Sequence, residues 1–125
     1  VEHMPWKFDN NRSIYVQLVE KIQNRIITGV YAPGSRLASV RELAGEAEVN
    51  PNTMQKALAE LERAGLVHAV RTSGRFVTED QKMIENLKRE SAVEIICEFR
   101  EKMKALGYDD EAVIKLIKET KKENE

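Results

Sequence analysis

At 125 residues the chain is long enough for one modest domain and a small addition, and 42% hydrophobic residues place it among globular proteins and not disordered tails. The net charge of −1 argues against a polyanionic partner until it is divided: residues 12–78 hold 9 basic and 6 acidic side chains, residues 79–125 hold 10 and 13, and residues 1–11 supply the remaining −1. There is no apolar run long enough for a membrane span and no secretory signal, and one cysteine cannot form an internal disulfide, so the expected setting is the reducing cytoplasm, away from membranes.

Met4 reads as a native start, which makes Val1–His3 an added leader. In residues 1–12, Trp6 and Phe8 alternate with polar residues and suggest an extended arm, lying on its own domain or on a partner subunit. The first helix is expected from Ser13 to about Thr28. Ile14, Leu18, Ile22, Arg25 and Ile26 lie on or beside one stripe, Val19 and Ile27 widen it, and Gly29 ends it. The link Tyr31–Leu37 is a turn plus a short extended piece, which supplies a third strand to a later hairpin.

Ser39, three residues before Glu42, fits a capping box for a second helix running to about Ala47, with Val40, Leu43, Ala44 and Ala47 as its apolar face. Glu48 and Val49 form the turn. Asn50-Pro51 opens the third helix, Asn as N-cap and Pro at the first helical position. Met54, Leu58 and Leu61 face inward, which turns Asn52, Thr53, Gln55 and Lys56 outward at the amino end; Gly65 stops the helix. Asn and Gln side chains pair bidentately with an adenine edge, Thr bonds a base or a phosphate, and Lys neutralises phosphate. The helix amino terminus adds N–H donors and partial positive charge. A solvated surface face explains the same residues equally well.

Leu66–Val70 reads as a strand, Arg71–Arg75 as a turn and Phe76–Thr78 as the return strand. A tip carrying Arg71, Thr72, Ser73, Gly74 and Arg75 suits a phosphate backbone or a minor groove. Alone it is as well explained as a solubilising hairpin; the helix and the hairpin in series argue for double-stranded DNA.

From Glu79-Asp80 a helix of about 25 residues is expected, with Ile84, Leu87, Ser91, Ile95, Phe99, Met103 and Leu106 at helical steps and Val93 and Ile96 on a second edge. Gly107 ends it, and Asp109 or Asp110 starts a last helix with Val113, Leu116, Ile117 and Thr120 on one side. Two such helices bury one stripe between them and leave another exposed. Pairing of two copies into a bundle hides the second; folding back on the chain's own domain is the alternative. An enzyme is excluded on inventory: His68 lies on a strand, Cys97 lies within a helix and reads as a small core residue, and no catalytic set, metal-ligand cluster or phosphate-cradling loop is present. No cofactor and no metal are expected.

The strings Ile14-Tyr15-Val16-Gln17, Pro33-Gly34-Ser35-Arg36-Leu37, Ser39-Val40-Arg41-Glu42-Leu43-Ala44, Val49-Asn50-Pro51-Asn52-Thr53, Leu61-Glu62-Arg63-Ala64-Gly65-Leu66 and Gly74-Arg75-Phe76-Val77 resemble the GntR family of bacterial transcription regulators. They cover about residues 13 to 78. The Val-Asn-Pro-Asn-Thr string and the short C-terminal region resemble its YtrA-like subfamily. The resemblance implies that Arg41 contacts DNA, that the helix opened by Asn50 is the recognition helix, and that residues 72–75 are the wing tip. Arg36 and Ser39, in the neighbouring strings, join the candidate contacts, Arg36 being read equally as a surface residue. Departures are Ala38 for a frequent Pro, Leu58 for the subfamily's Tyr, and Pro51 and Gln55 where many members carry arginine, so an arginine-bearing relative's operator does not transfer.

The expected architecture is mainly α with a small antiparallel sheet (α+β). An arm, 1–12, precedes a winged helix-turn-helix domain, 13–78, and a C-terminal two-helix dimerisation hairpin, 79–125. The expected function is a homodimeric, sequence-specific repressor on an inverted-repeat operator, controlling a transporter operon by the weaker subfamily resemblance. A winged-helix protein-interaction module and a non-specific architectural DNA binder are the alternatives. The C-terminal region is too small for the folded ligand pocket of larger relatives, so no site for a small-molecule effector is assigned.

Overall fold

The computed structural model describes residues 6–123, so the leader expected at Val1–His3 lies outside the described residues. These form helices α1 (Ile14–Ile27), α2 (Val40–Ala47), α3 (Pro51–Arg63), α4 (Gln81–Ala105) and α5 (Asp110–Glu123) and one antiparallel pair, β1 (Val67–Val70) and β2 (Gly74–Val77). The chain divides into two compact units, Val1–Glu85 and Asn86–Glu125.

In the first unit α3 is the hub: it packs on α1, α2 and β1. Its Met54, Ala57, Leu58 and Leu61 are fully covered, and Leu18, Ile22 and Ile26 of α1, Leu43 of α2, and Val67 and Val77 of the hairpin complete the core. Burying side chains of this size is the main favourable term holding the unit together, about 1.5–3 kcal/mol each before ordering costs. Leu58, where the subfamily resemblance calls for Tyr, is a wholly apolar fit.

Each helix starts where its cap chemistry says. The Ser13 hydroxyl accepts from the Val16 N–H at 3.3 Å. Ser39 and Glu42 form the expected reciprocal pair: Ser39 Oγ accepts from the Glu42 N–H at 3.1 Å and Glu42 Oε1 from the Ser39 N–H at 2.9 Å. Asn50 Oδ1 accepts from the Asn52 N–H at 2.7 Å, with Pro51 at the first helical position. Past α3, Gly65 adopts φ +85° and lets the Leu66 N–H return to the Leu61 carbonyl at 3.0 Å.

Three local expectations are corrected. First, Ile14 is 36% exposed, and Gln17 is buried in its place beside Leu18. The carboxamide is fully engaged: Oε1 accepts from the Asp9 N–H at 2.7 Å, and Nε2 donates to the Asp9 carbonyl at 2.8 Å and the Arg12 carbonyl at 3.1 Å. A buried amide with those partners is tolerated, and it pins the arm to α1. The arm therefore lies on its own domain. Lys21 Nζ sits 5.4 Å from the Phe8 ring, and the Arg25 guanidinium 4.0 Å from the Trp6 ring. Second, the link does not form a full third strand. It makes one bridge, Arg36 opposite Phe76, with Leu37 N–H donating to the Arg75 carbonyl at 2.8 Å and Val77 N–H to the Ser35 carbonyl at 2.9 Å. The turn at Pro33-Gly34 precedes it and the Ser39 cap follows, leaving no length for more. Third, β2 begins at Gly74 and ends at Val77, so Gly74 and Arg75 belong to the strand and the turn is Arg71–Ser73.

The second unit is two helices joined at Gly107, which has φ +96°. Asp109 Oδ1 caps α5 by accepting from the Ala112 N–H at 2.9 Å, and Arg100 binds Asp110 through two nitrogens. Val113 is the only buried residue among those described in this unit. Phe99, Met103, Leu116 and Ile117 line an open groove of about 570 Å³ beside it. The stripe expected to be buried between the helices is thus mostly uncovered, and Cys97, expected as a core residue, is exposed. Two helices have too little mutual surface to bury such a stripe by themselves.

Candidate nucleic-acid interface

Because α1, α2 and β1 cover one side of α3, the opposite side is open. Asn52, Gln55 and Lys56 are exposed there, and Thr53 is half-buried. Pro51 at the helix start has no N–H, and the Asn52 N–H is capped by Asn50, so the Asn50 side chain is first of all a structural cap. Ser39 has the same standing, its hydroxyl and its N–H both bound to Glu42. That pairing, the backbone N–H first and the hydroxyl second, holds the Glu42 carboxyl below its ordinary pKa.

Arg41, in the first turn of α2, is exposed and lies on the rim of an open concavity of about 530 Å³ with Ala44, Gly45, Glu48, Val49 and Pro51. The helix-turn-helix corner is made by Glu48, left-handed at φ 57°, and by Val49, whose N–H donates to the Ala44 carbonyl at 3.0 Å.

In the wing turn, the Ser73 N–H donates to the Val70 carbonyl at 2.9 Å, and Thr72 takes φ 68°. Arg71, Thr72 and Ser73 are exposed. The two other arginines assigned to this region are engaged within the chain. Arg75 pairs with Glu62 of α3, and Arg36 Nε donates to the Ser73 carbonyl at 2.7 Å. Glu62 was part of a motif in the sequence but carried no role there. Only its opposite charge on the rim of α3 hinted at a partner, and nothing in local spacing names Arg75.

A second cluster, which no local spacing marks, lies around Arg25. Arg25, beneath Trp6, also reaches Tyr31, with Nη1 3.4 Å from the phenol oxygen. Burial raises the Tyr31 pKa, against the lowering pull of Arg25. Among the described residues there is no group of three His, Cys, Asp or Glu side chains fit to hold a metal ion, and no helix long and apolar enough to cross a membrane.

The self-association candidates lie mostly in the second unit. Ile95, Ile96, Phe99, Leu106 and Ile117 are exposed, Leu106 at 71% and Ile95 at 67%, while Leu87, Met103 and Leu116 are half-buried. Ile84 and Val113 are buried within one copy, at 5% and 6%, so they act there as packing residues.

The family model described as bacterial regulatory proteins, gntR family, matches residues 14–77. An uncharacterised HTH-type transcriptional regulator, YhcF of Bacillus subtilis, is 36% identical over 90% of this chain and 93% of its own length. The HTH-type transcriptional repressor YtrA of the same organism is 41% identical over 55% of this chain and 53% of that protein. Among solved structures, a GntR family transcriptional regulator from Listeria monocytogenes superposes with TM-score 0.85 at 42% identity, covering 90% of this chain and 98% of that one. The DNA-binding domain of AraR in complex with operator ORE1 superposes with TM-score 0.51 at 27% identity, covering 58% and 90%. An α3 with its polar face open, a wing beside it, and a match running from α1 to the end of β2 lead to one assignment: this chain belongs to the GntR family of DNA-binding bacterial transcription regulators.

Proposed function

We propose that the chain is a homodimeric, sequence-specific repressor that acts in the cytoplasm on an inverted-repeat operator in double-stranded DNA. The observation that carries the reading is the open amino-terminal side of α3, where Asn52, Gln55 and Lys56 are exposed opposite fully buried Met54 and Leu58. Residues 13–78 form the reader. α3 enters the major groove, with Asn52 and Gln55 toward base edges and Thr53 and Lys56 toward bases or phosphate. Asn50 contributes its amide N–H groups, the oxygen being its cap. Arg41 with Ser39 at the start of α2, and Arg71, Thr72 and Ser73 in the wing, hold the flanking backbone. Residues 79–125 join two copies, since the apolar residues of α4 and α5 need cover that one chain does not supply. Two half-sites then lie one helical turn apart or a multiple of it. The repressor reading is supported by the name of the relative YtrA, and the transporter operon rests on the subfamily resemblance alone.

The test is selection of bound duplexes from a random library at near-physiological salt. An enriched inverted repeat lying beside transporter genes supports the whole reading. Retention without enrichment replaces it with an architectural binder, and no retention of any duplex with a protein-interaction module.

A further inference from the structure

Two of the arginines around the wing, Arg75 and Arg36, are engaged within the chain. By strand alternation Arg75 shares a face of β2 with Val77, which is fully buried. The register sets the pair Ala69 and Arg75 next to the pair Val67 and Val77, on the side of the hairpin turned to α3. There the guanidinium meets the Glu62 carboxylate, and only 21% of the Arg75 side chain is exposed. From the link, Arg36 Nε reaches the Ser73 carbonyl at 2.7 Å. Gly74 leaves room for that reach: a Cβ would lie 3.0 Å from Arg36 Nε, and the residue's φ is +112°. The wing is thereby tied to α3 through Arg75 of its strand and to the link through the Ser73 carbonyl of its turn, while Arg71 stands exposed in the turn.

We infer that Glu62, Arg75 and Arg36 are positioning residues that set the wing against the reading helix, and that the wing's phosphate contact belongs to Arg71. This rests on the DNA reading above. The two roles open to Arg75 differ in sign at Glu62. If Arg75 bound phosphate, Glu62 would compete with the DNA, and Glu62→Gln would tighten binding. If Arg75 positions the wing, Glu62→Gln loosens it.

The experiment is a salt series of affinities of the full chain for the selected duplex, comparing wild type, Glu62→Gln, Arg75→Gln, Arg36→Gln, Arg71→Gln and the charge swap Glu62→Arg/Arg75→Glu. Amide hydrogen exchange at residues 71–77 is measured on the same free proteins. Glu62→Gln and Arg75→Gln each weaken binding roughly three- to fivefold, the range of a partly exposed pair, without changing the salt slope. Arg71→Gln lowers the slope by about 0.9, one phosphate. Exchange in the wing speeds up in Glu62→Gln, Arg75→Gln and Arg36→Gln, and the charge swap restores both exchange and affinity. Tighter binding by Glu62→Gln together with a lowered slope in Arg75→Gln overturns the assignment, and so does a swap that rescues neither readout. A wild-type chain that binds no duplex sinks the DNA reading alone; unchanged wing exchange in the single variants sinks the positioning role whatever the DNA result.

Discussion

Glu48 and Thr72 hold positive φ, 57° and 68°, without being glycine, and they sit in the two turns that flank the proposed DNA surface. Left-handed backbone costs an L-residue roughly 1–2 kcal/mol, and strain of this kind gathers at functional turns. Glu48→Gly relieves it and removes a carboxylate from the rim that carries Arg41. It is expected to raise stability in urea unfolding by about 0.5–1 kcal/mol, the relief less glycine's unfolded-state entropy, and to tighten DNA binding. A loss of stability would mean that the Glu48 side chain holds the corner. Gln17 is the other residue whose role is particular. Gln17→Leu keeps the volume and removes the tie to Asp9 and Arg12, at a cost of about 1 kcal/mol. The arm should then become cleavable by chymotrypsin at Trp6 and Phe8 in the folded protein. Continued resistance would show that the contacts of Arg25 and Lys21, those to the Trp6 and Phe8 rings among them, suffice to hold the arm.

Single elements stand on their caps. α2 is an 8-residue helix, too short to persist in isolation, so its start depends on Ser39 and Glu42. Ser39→Ala should lower stability by about 1 kcal/mol. The pair also gives a pH signature. Since the folded-state pKa of Glu42 lies below its ordinary value, the unfolded chain takes up this proton first on acidification. The stabilisation is complete above the ordinary glutamate pKa and disappears as pH falls through the lowered value. Thermal melts from neutral to acid pH should therefore converge for wild type and Glu42→Ala, and a constant gap between them would refute the linkage. Asn52→Ala and Gln55→Ala should relax preference at particular base pairs by roughly 1–3 kcal/mol in competition binding. An affinity and a preference both unmoved would detach α3 from the groove.

For the whole molecule the decisive contrast is between a first unit with a closed core and a second in which, among the described residues, only Val113 is buried. Such a unit is stable only against further apolar surface, which supports the proposed pairing of copies. Ile95→Glu or Phe99→Asp should convert a dimer to monomers in sedimentation and abolish the concentration dependence of Tm. Sedimentation as an unchanged dimer would move the interface elsewhere.

The helices, their caps, the corner at Glu48-Val49 and the polar leading face of α3 are legible from residue order alone. These are signals acting within one turn of helix or one hairpin, between residues that are neighbours whatever the rest of the chain does. The order of those elements carries the family resemblance, and the gntR family model matches residues 14–77. Tertiary packing alone buries Gln17 in place of Ile14, lays the arm on its own domain, limits the link to a bridge, and engages Arg36 and Arg75 within the chain. Each joins residues beyond the reach of one helical turn or one hairpin, from Gln17 with Asp9 to Arg36 with Ser73, 37 positions on. No periodicity encodes such a pair; it exists only once α3 has gathered α1, α2 and β1 around it and set which side chains meet.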